Sequence, residues 1–343
     1  MSKGLTYTFM FMILIAILFI ANLFFGSVNI PINAVIDALI GNDTEKQSWN
    51  YIILESRLPQ ATTALFTGAS LAVAGLLLQT VFRNPLADPD ILGISAGANL
   101  GVALVVMLLG GGIVMDGAFD LSYSLSIVIG AFMGSALILV VIMAFSAIVK
   151  NNIMLLIIGI MVGYLTSSVI SILKFWSTSE RAYSFMIWGM GDFANVTSAQ
   201  LPFYCTVLSI GLLIAILLIK PLNALLLGER YAANLGVNIR TIRFLLLLCA
   251  GLLTATCCAF CGPIAFIGLA VPHMARLLLG TSNHKLLMPI TILTGCTMAL
   301  FCNLVCTLPG TSGMLPVNAV TPILGAPVII YVIINQKKIQ YFN

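Results

Sequence analysis

The run KPLNALLLGERYAANLGVNIRTIR, Lys220–Arg243, separates two strongly apolar blocks and does not itself read as a membrane span. Pro221, the Gly228-Glu229-Arg230 break and Gly236 cut it into two short helical pieces. Lys220, Arg230, Arg240 and Arg243 hold it at a membrane surface rather than inside the bilayer. Its apolar residues, Leu225 to Leu227 and then Ala232, Ala233, Leu235 and Val237, are too sparse to bury a helix in lipid. They suffice to dock one into a groove on a soluble partner, so the stretch reads as a cytoplasmic ledge. A basic loop with amphipathic turns lying at the interface accounts for the same residues.

The flanking blocks set the class. Hydrophobic residues make up 60% of the chain and charged residues 8%, far from the roughly half and roughly a quarter of soluble domains. At 343 residues the chain has room for about ten spans, at about 20 residues each, and for no sizeable soluble domain. An all-α integral membrane protein is expected, with one domain over residues 1–343 and the coupling segment at about 220–243. The formal charge of +4 implies no nucleic-acid partner; the partner in constant contact is lipid. The eight cysteines lie mostly in apolar runs and are expected as free thiols. The CCAFC cluster at Cys257–Cys261 has no matching histidine pattern beside it, since His273 and His284 are the only histidines, so neither a metal nor another cofactor is expected.

From the amino terminus, spans are expected at Tyr7–Phe25, Ala61–Phe82, a short one after Gly93, Leu125–Val149, Ile153–Ile172, Leu201–Ile219, Phe244–Phe260, Ile264–Leu279, Leu286–Leu304 and Val320–Ile334. Gly26–Arg57 reads as an outer polar segment with an amphipathic piece at Ile32–Ile40. NPLADPDILG after Arg83 cannot be helical throughout, and Gly93, Gly97 and Gly101 form a small-residue stripe for close helix packing. With both termini inside, eleven Lys and Arg residues lie on the cytoplasmic side and four outside, which satisfies the positive-inside rule. Eight acidic residues then fall in the outer loops, Asp116 and Asp120 among them, leaving the outer face net negative by about four charges.

No charged residue falls in the middle of an expected span, and Arg276 comes nearest. This disfavours proton-coupled transport and intramembrane hydrolysis, which need buried ionisable groups. An ion-coupled carrier using backbone carbonyls at broken helices stays open as a second reading. No G-x-x-x-x-G-K-[ST] loop occurs, so ATP-driven transport requires a separate ATPase, and the chain itself is not expected to be an enzyme.

Three stretches carry a resemblance. Glu55–Ala98, ESRLPQATTALFTGASLAVAGLLLQTVFRNPLADPDILGISAGA, Gly262–Gly280, GPIAFIGLAVPHMARLLLG, and Leu315–Ile333, LPVNAVTPILGAPVIIYVI, resemble in order the signatures of the FecCD family, permeases of ATP-driven importers for iron siderophores, haem and cobalamin. The run LLLGERYAANLGV resembles that family's coupling loop. The resemblance implies a type II importer permease in a bacterial inner membrane. It implies pairing with a second permease copy, two ATPase subunits beneath and an external substrate-binding protein. On it, Leu227, Gly228, Glu229, Ala232, Leu235 and Gly236 couple to the ATPase, and Asn84, Leu86, Asn151 and Asn152 gate the cytoplasmic mouth. Gly159, Gly163, Ser167 and Ser171, four apart on one face, then line the path, although tight packing explains the same stripe. Arg57 and Gln60 fall where the family docks its binding protein. The chain departs from the family with Gln60 for a second arginine, Asn303 and Cys306 for an Asp and an Arg, and Met314-Leu315-Pro316-Val317-Asn318 for Glu-Leu-Pro-x-Gly.

Overall fold

The computed structural model describes residues 3–42, 44–108, 119–149, 152–307 and 314–334, and among them there are helices and no strands. The helices are α1 Lys3–Phe24, α2 Ile32–Ile40, α3 Gln47–Tyr51, α4 Leu58–Phe82, α5 Ile94–Ala103, α6 Phe119–Ile148, α7 Asn152–Trp176, α8 Ser179–Gly189, α9 Leu201–Leu217, α10 Ile219–Leu226, α11 Glu229–Asn234, α12 Ile239–Cys261, α13 Ile267–Leu279, α14 His284–Cys306 and α15 Val317–Ile334. Six of the described helices are long and apolar enough to cross a membrane, and α9 with α10 makes a seventh, bent by 50°. Three shorter apolar helices, Ile94–Leu108, Ile267–Leu279 and Val317–Val332, lie among them. The protein is a multi-pass all-α membrane protein.

The centre is α4. Its apolar window is 89% buried, against 22% for α1 and for α7, so α4 is an axle within the bundle and the others face outward. Small residues permit this. A Cβ on Gly75 would overlap the Gly268 carbonyl of α13, and one on Gly68 would overlap Gly295 of α14. The expected stripe on α5 does the same work: Gly97 and Gly101 face Gly134 and Gly130 of α6 backbone to backbone. In lipid, where helices gain no hydrophobic energy from meeting each other, such close contact is a main source of cohesion.

Two expectations need correction. The second span begins at Gln47 rather than Ala61, because α3, a π-helical turn at Ile52–Arg57 and α4 run on as one helix over Gln47–Phe82. The extension carries Arg57 inside, where its guanidinium donates to the carbonyls of Leu23 and Phe24, at 2.9 Å each, and of Val28. These are carbonyls at and just past the end of α1, which lack helical partners. Charge is also less excluded than the apolar pattern indicates, since Arg57, Asp88, Arg276, His273 and His284 are all buried. Arg57, Arg276, His273 and His284 have polar partners folded in with them, whereas the Asp88 carboxyl lies near that of Asp90.

Candidate functional site

Function can be followed from the ledge inward. At Leu218 the chain bends out of α9, and α10 packs Leu222 and Leu225 against the bundle. Gly228 at φ 106° and Gly236 at φ 83° then make the turns on either side of α11, in backbone regions that glycine alone enters without strain. The two short pieces expected from sequence are thus α10 and α11. Of the expected coupling residues, Leu227 and Leu235 are 54% and 60% exposed, and with Tyr231 at 53% they give the ledge an exposed apolar row in sequence, Leu227 before the Gly228 turn, Tyr231 in α11 and Leu235 just after it. Ala232, also an expected coupling residue, is fully buried. Glu229 pairs with Arg243 at 2.6 Å, tying the start of α11 to the first turns of α12.

Asn223 on α10 connects the ledge to the interior. Its Oδ1 accepts from the backbone N–H of His284 at 2.8 Å and faces the ring Nδ1 at 3.0 Å. Nδ1 is therefore the protonated nitrogen, and Nε2 meets the Thr80 hydroxyl of α4 at 2.9 Å. Thr80 lies one turn before Arg83, whose left-handed conformation (φ 46°) ends α4. The ledge is so joined by Asn223, His284 and Thr80 to the turn that carries Asn84 and Leu86. There Asn84 Oδ1 accepts from Leu86 N at 2.9 Å, and Leu86 is 42% exposed. The loop behind it folds inward. Pro85 O meets His273 Nε2 at 2.7 Å, Arg276 donates to Gln79 Oε1 at 2.6 Å, and Ser95 donates to Asp90. Burial and the nearby Asp90 push the Asp88 carboxyl well above the usual carboxylate range. Of the other expected gate residues, Asn151 lies outside the described residues and Asn152 is the first residue of α7.

The stripe on α7 divides. Gly159 is buried against Leu92, so packing explains it, while a Cβ on Gly163 would meet nothing and Ser167 and Ser171 are exposed. Ser171 donates its hydroxyl back to the Ser167 carbonyl at 2.9 Å. The open part of the stripe therefore presents few unused donors.

At the far end, Arg57 and Gln60 are 6% and 5% exposed, and neither presents its charge or amide to the surface. Instead Gln60 Nε2 donates to Asn303 Oδ1 at 3.0 Å, and Asn303 Nδ2 donates to Asn22 Oδ1 at 2.8 Å. Gln60 and Asn303, two of the departures from the pattern that the resemblance implies, are thus partners, a neutral amide pair. Returning Gln60 to arginine alone would bury an unpaired cation beside two amides. Gln60→Arg is expected to lower the thermal unfolding midpoint of the purified protein by about 5 °C or more, and Gln60→Arg with Asn303→Asp to recover most of that loss. A single variant as stable as the parent would contradict it.

A third departure, Asn318, was missed as a site. Its Nδ2 donates to Pro263 O at 2.6 Å and Gly189 O at 3.2 Å, while Oδ1 accepts from Ala265 N at 3.0 Å. One side chain therefore joins α8, the loop before α13 and α15. Only its place in the Met314–Asn318 run marked it in the sequence. Above this hub lies a cavity of about 500 Å³ lined by Tyr183, Trp188, Asp192 and Met314 among others. All eight cysteines are free, and among the described residues no group of three or more His, Cys, Asp or Glu side chains is placed to hold a metal. Cys257 and Cys261 instead surround the Tyr204 hydroxyl, which is 2.6 Å from Thr67 Oγ1.

A central helix with others packed around it, and a bent helix leading to an exposed ledge, make a polytopic α-helical membrane protein. Residues 14–335 match the FecCD transport family, and the chain belongs to it. It is 31% identical to the hemin transport system permease protein HmuU of Yersinia pestis over 91% of this chain and 92% of that one. It is 36% identical to the vitamin B12 import system permease protein BtuC of Serratia proteamaculans, covering 84% and 83%, and 34% identical to the molybdate import system permease protein MolB of Haemophilus influenzae, covering 84% and 82%. A solved metal-chelate type ABC transporter in an inward-facing conformation superimposes with a TM-score of 0.81 at 29% identity, over 96% of this chain and 98% of that one. The fold is accordingly that of a type II ABC importer permease.

Proposed function

We propose that this permease pairs with a second copy to form the path of an ATP-driven importer for an iron complex, siderophore or haem, or for cobalamin. The observation that carries the reading is the exposed row Leu227, Tyr231 and Leu235 on a ledge hydrogen-bonded through Asn223 and His284 to the end of α4. An ATPase subunit docked on that row moves α10, and Asn223, His284 and Thr80 pass the displacement to the Asn84–Leu86 turn. The ledge is cytoplasmic, as are both termini, and the second copy closes the open face of α7 around Gly163, Ser167 and Ser171. The family's relatives and the charge distribution support a bacterial inner-membrane location with an external binding protein delivering the substrate.

Reconstitution tests this. Vesicles holding the permease, its ATPase and the binding protein loaded with a ferric siderophore, haem or cobalamin should accumulate one of these in an ATP-dependent manner. Omission of the ATPase should abolish accumulation. Uptake that follows an ion gradient without the ATPase would overturn the reading in favour of a carrier acting alone.

A further inference from the structure

Between the last turns of α6 and the first turns of α12 lies a groove of about 920 Å³ that the transport reading does not use. Val140, Met143 and Phe244 give it apolar walls, and Val140 and Phe244 are 58% and 47% exposed. Its rim at the ledge is basic. Arg240 makes no hydrogen bond or ion pair among the described residues, and Arg243 shares its guanidinium with Glu229, the one acid in the lining. The walls continue the apolar surfaces of two membrane-crossing helices, and the arginines stand where α12 leaves the apolar region. An uncompensated cation above an open apolar slot at this level is complementary to an amphiphile with an anionic head. None of Leu227, Tyr231 and Leu235 lines the groove, so it is a surface separate from the exposed row of the ledge.

We propose that this groove seats one anionic phospholipid, its phosphate between Arg240 and Arg243 and its acyl chains along Val140, Met143 and Phe244. The phosphate then competes with Glu229 for Arg243, the contact that ties α11 to α12. The anionic fraction of the membrane thereby acts on the ledge. This inference does not rest on the identity of the substrate or on the ATPase.

The transporter, purified with the subunits that accompany it, is placed in nanodiscs of equal phosphatidylglycerol and phosphatidylcholine and released for native mass spectrometry. One phosphatidylglycerol per permease chain should be retained, about fivefold over phosphatidylcholine for each arginine that holds it. Arg240→Gln keeps the Arg243–Glu229 pair and should lower that preference about fivefold, while Glu229→Gln, which frees Arg243, should raise it. Equal retention of the two lipids, or a preference undiminished in Arg240→Gln, would overturn the proposal. So would loss of an accompanying subunit in Arg240→Gln with lipid retention unchanged, because the groove would then belong to that protein.

Discussion

In reconstituted vesicles Leu227→Glu is expected to leave the permease inserted and monodisperse while ATP-driven uptake falls roughly thirtyfold. Leu227 is more than half exposed, so a charge there costs the fold little. In the assembly proposed above it would be one of three anchors of a small apolar contact, where removing one anchoring side chain commonly weakens association by about 2 kcal/mol or more. Gly236→Trp should uncouple by a different route, since the left-handed turn at φ 83° must be re-formed around a side chain that strains it. A Cβ there would meet no neighbouring atom, so loss of uptake in this variant would reflect the turn rather than a clash. Both variants transporting at the parental rate, with ATPase bound as before, would remove the ledge from the coupling pathway.

Gly75→Leu is expected to yield no folded permease. The α4 backbone lies against the α13 backbone at this point, where even a Cβ would overlap the Gly268 carbonyl. Backbone cannot turn aside as a flexible side chain can, so the helices must part, and the cost of overpacking passes the usual 1–3 kcal/mol. Gly189→Leu is the matched control, because a Cβ at Gly189 meets nothing within 4 Å. Size-exclusion profiles of the solubilised proteins should show a sharp peak for the control and aggregate for Gly75→Leu. A monodisperse Gly75→Leu protein with an unchanged melting midpoint would show that this approach is not needed for the fold.

The parts of the fold legible in the sequence are those written locally. Proline, glycine and the basic residues of Lys220–Arg243 mark both short helices of the ledge, and the amphipathic piece Ile32–Ile40 matches α2 residue for residue. The every-fourth-residue glycines of α5 declare a close approach, though not that α6 answers with Gly130 and Gly134. What stayed hidden depends on partners distant in sequence. Gln60 and Asn303 are 243 residues apart and Thr80 and His284 are 204 apart, so neither pairing leaves a local pattern. The start of the second span was misplaced for a similar reason. Glu55 and Arg57 read as the end of a polar segment, and only the carbonyls waiting at the end of α1 explain how Arg57 enters the bundle.

The continuous helix Gln47–Phe82 has 36 residues, which at 1.5 Å per residue gives a rod about 54 Å long. A bilayer with its headgroups is only about 40–45 Å thick. The rod therefore either tilts across the bilayer or projects beyond it. Its Phe82 end is the one bonded to His284. A pivot of about five degrees near that end sweeps the distant tip through roughly 5 Å, from the same rise per residue. In the transport cycle proposed above, a push at that end must carry α13 and α14 with it, because Gly75 and Gly68 hold α4 against their backbones.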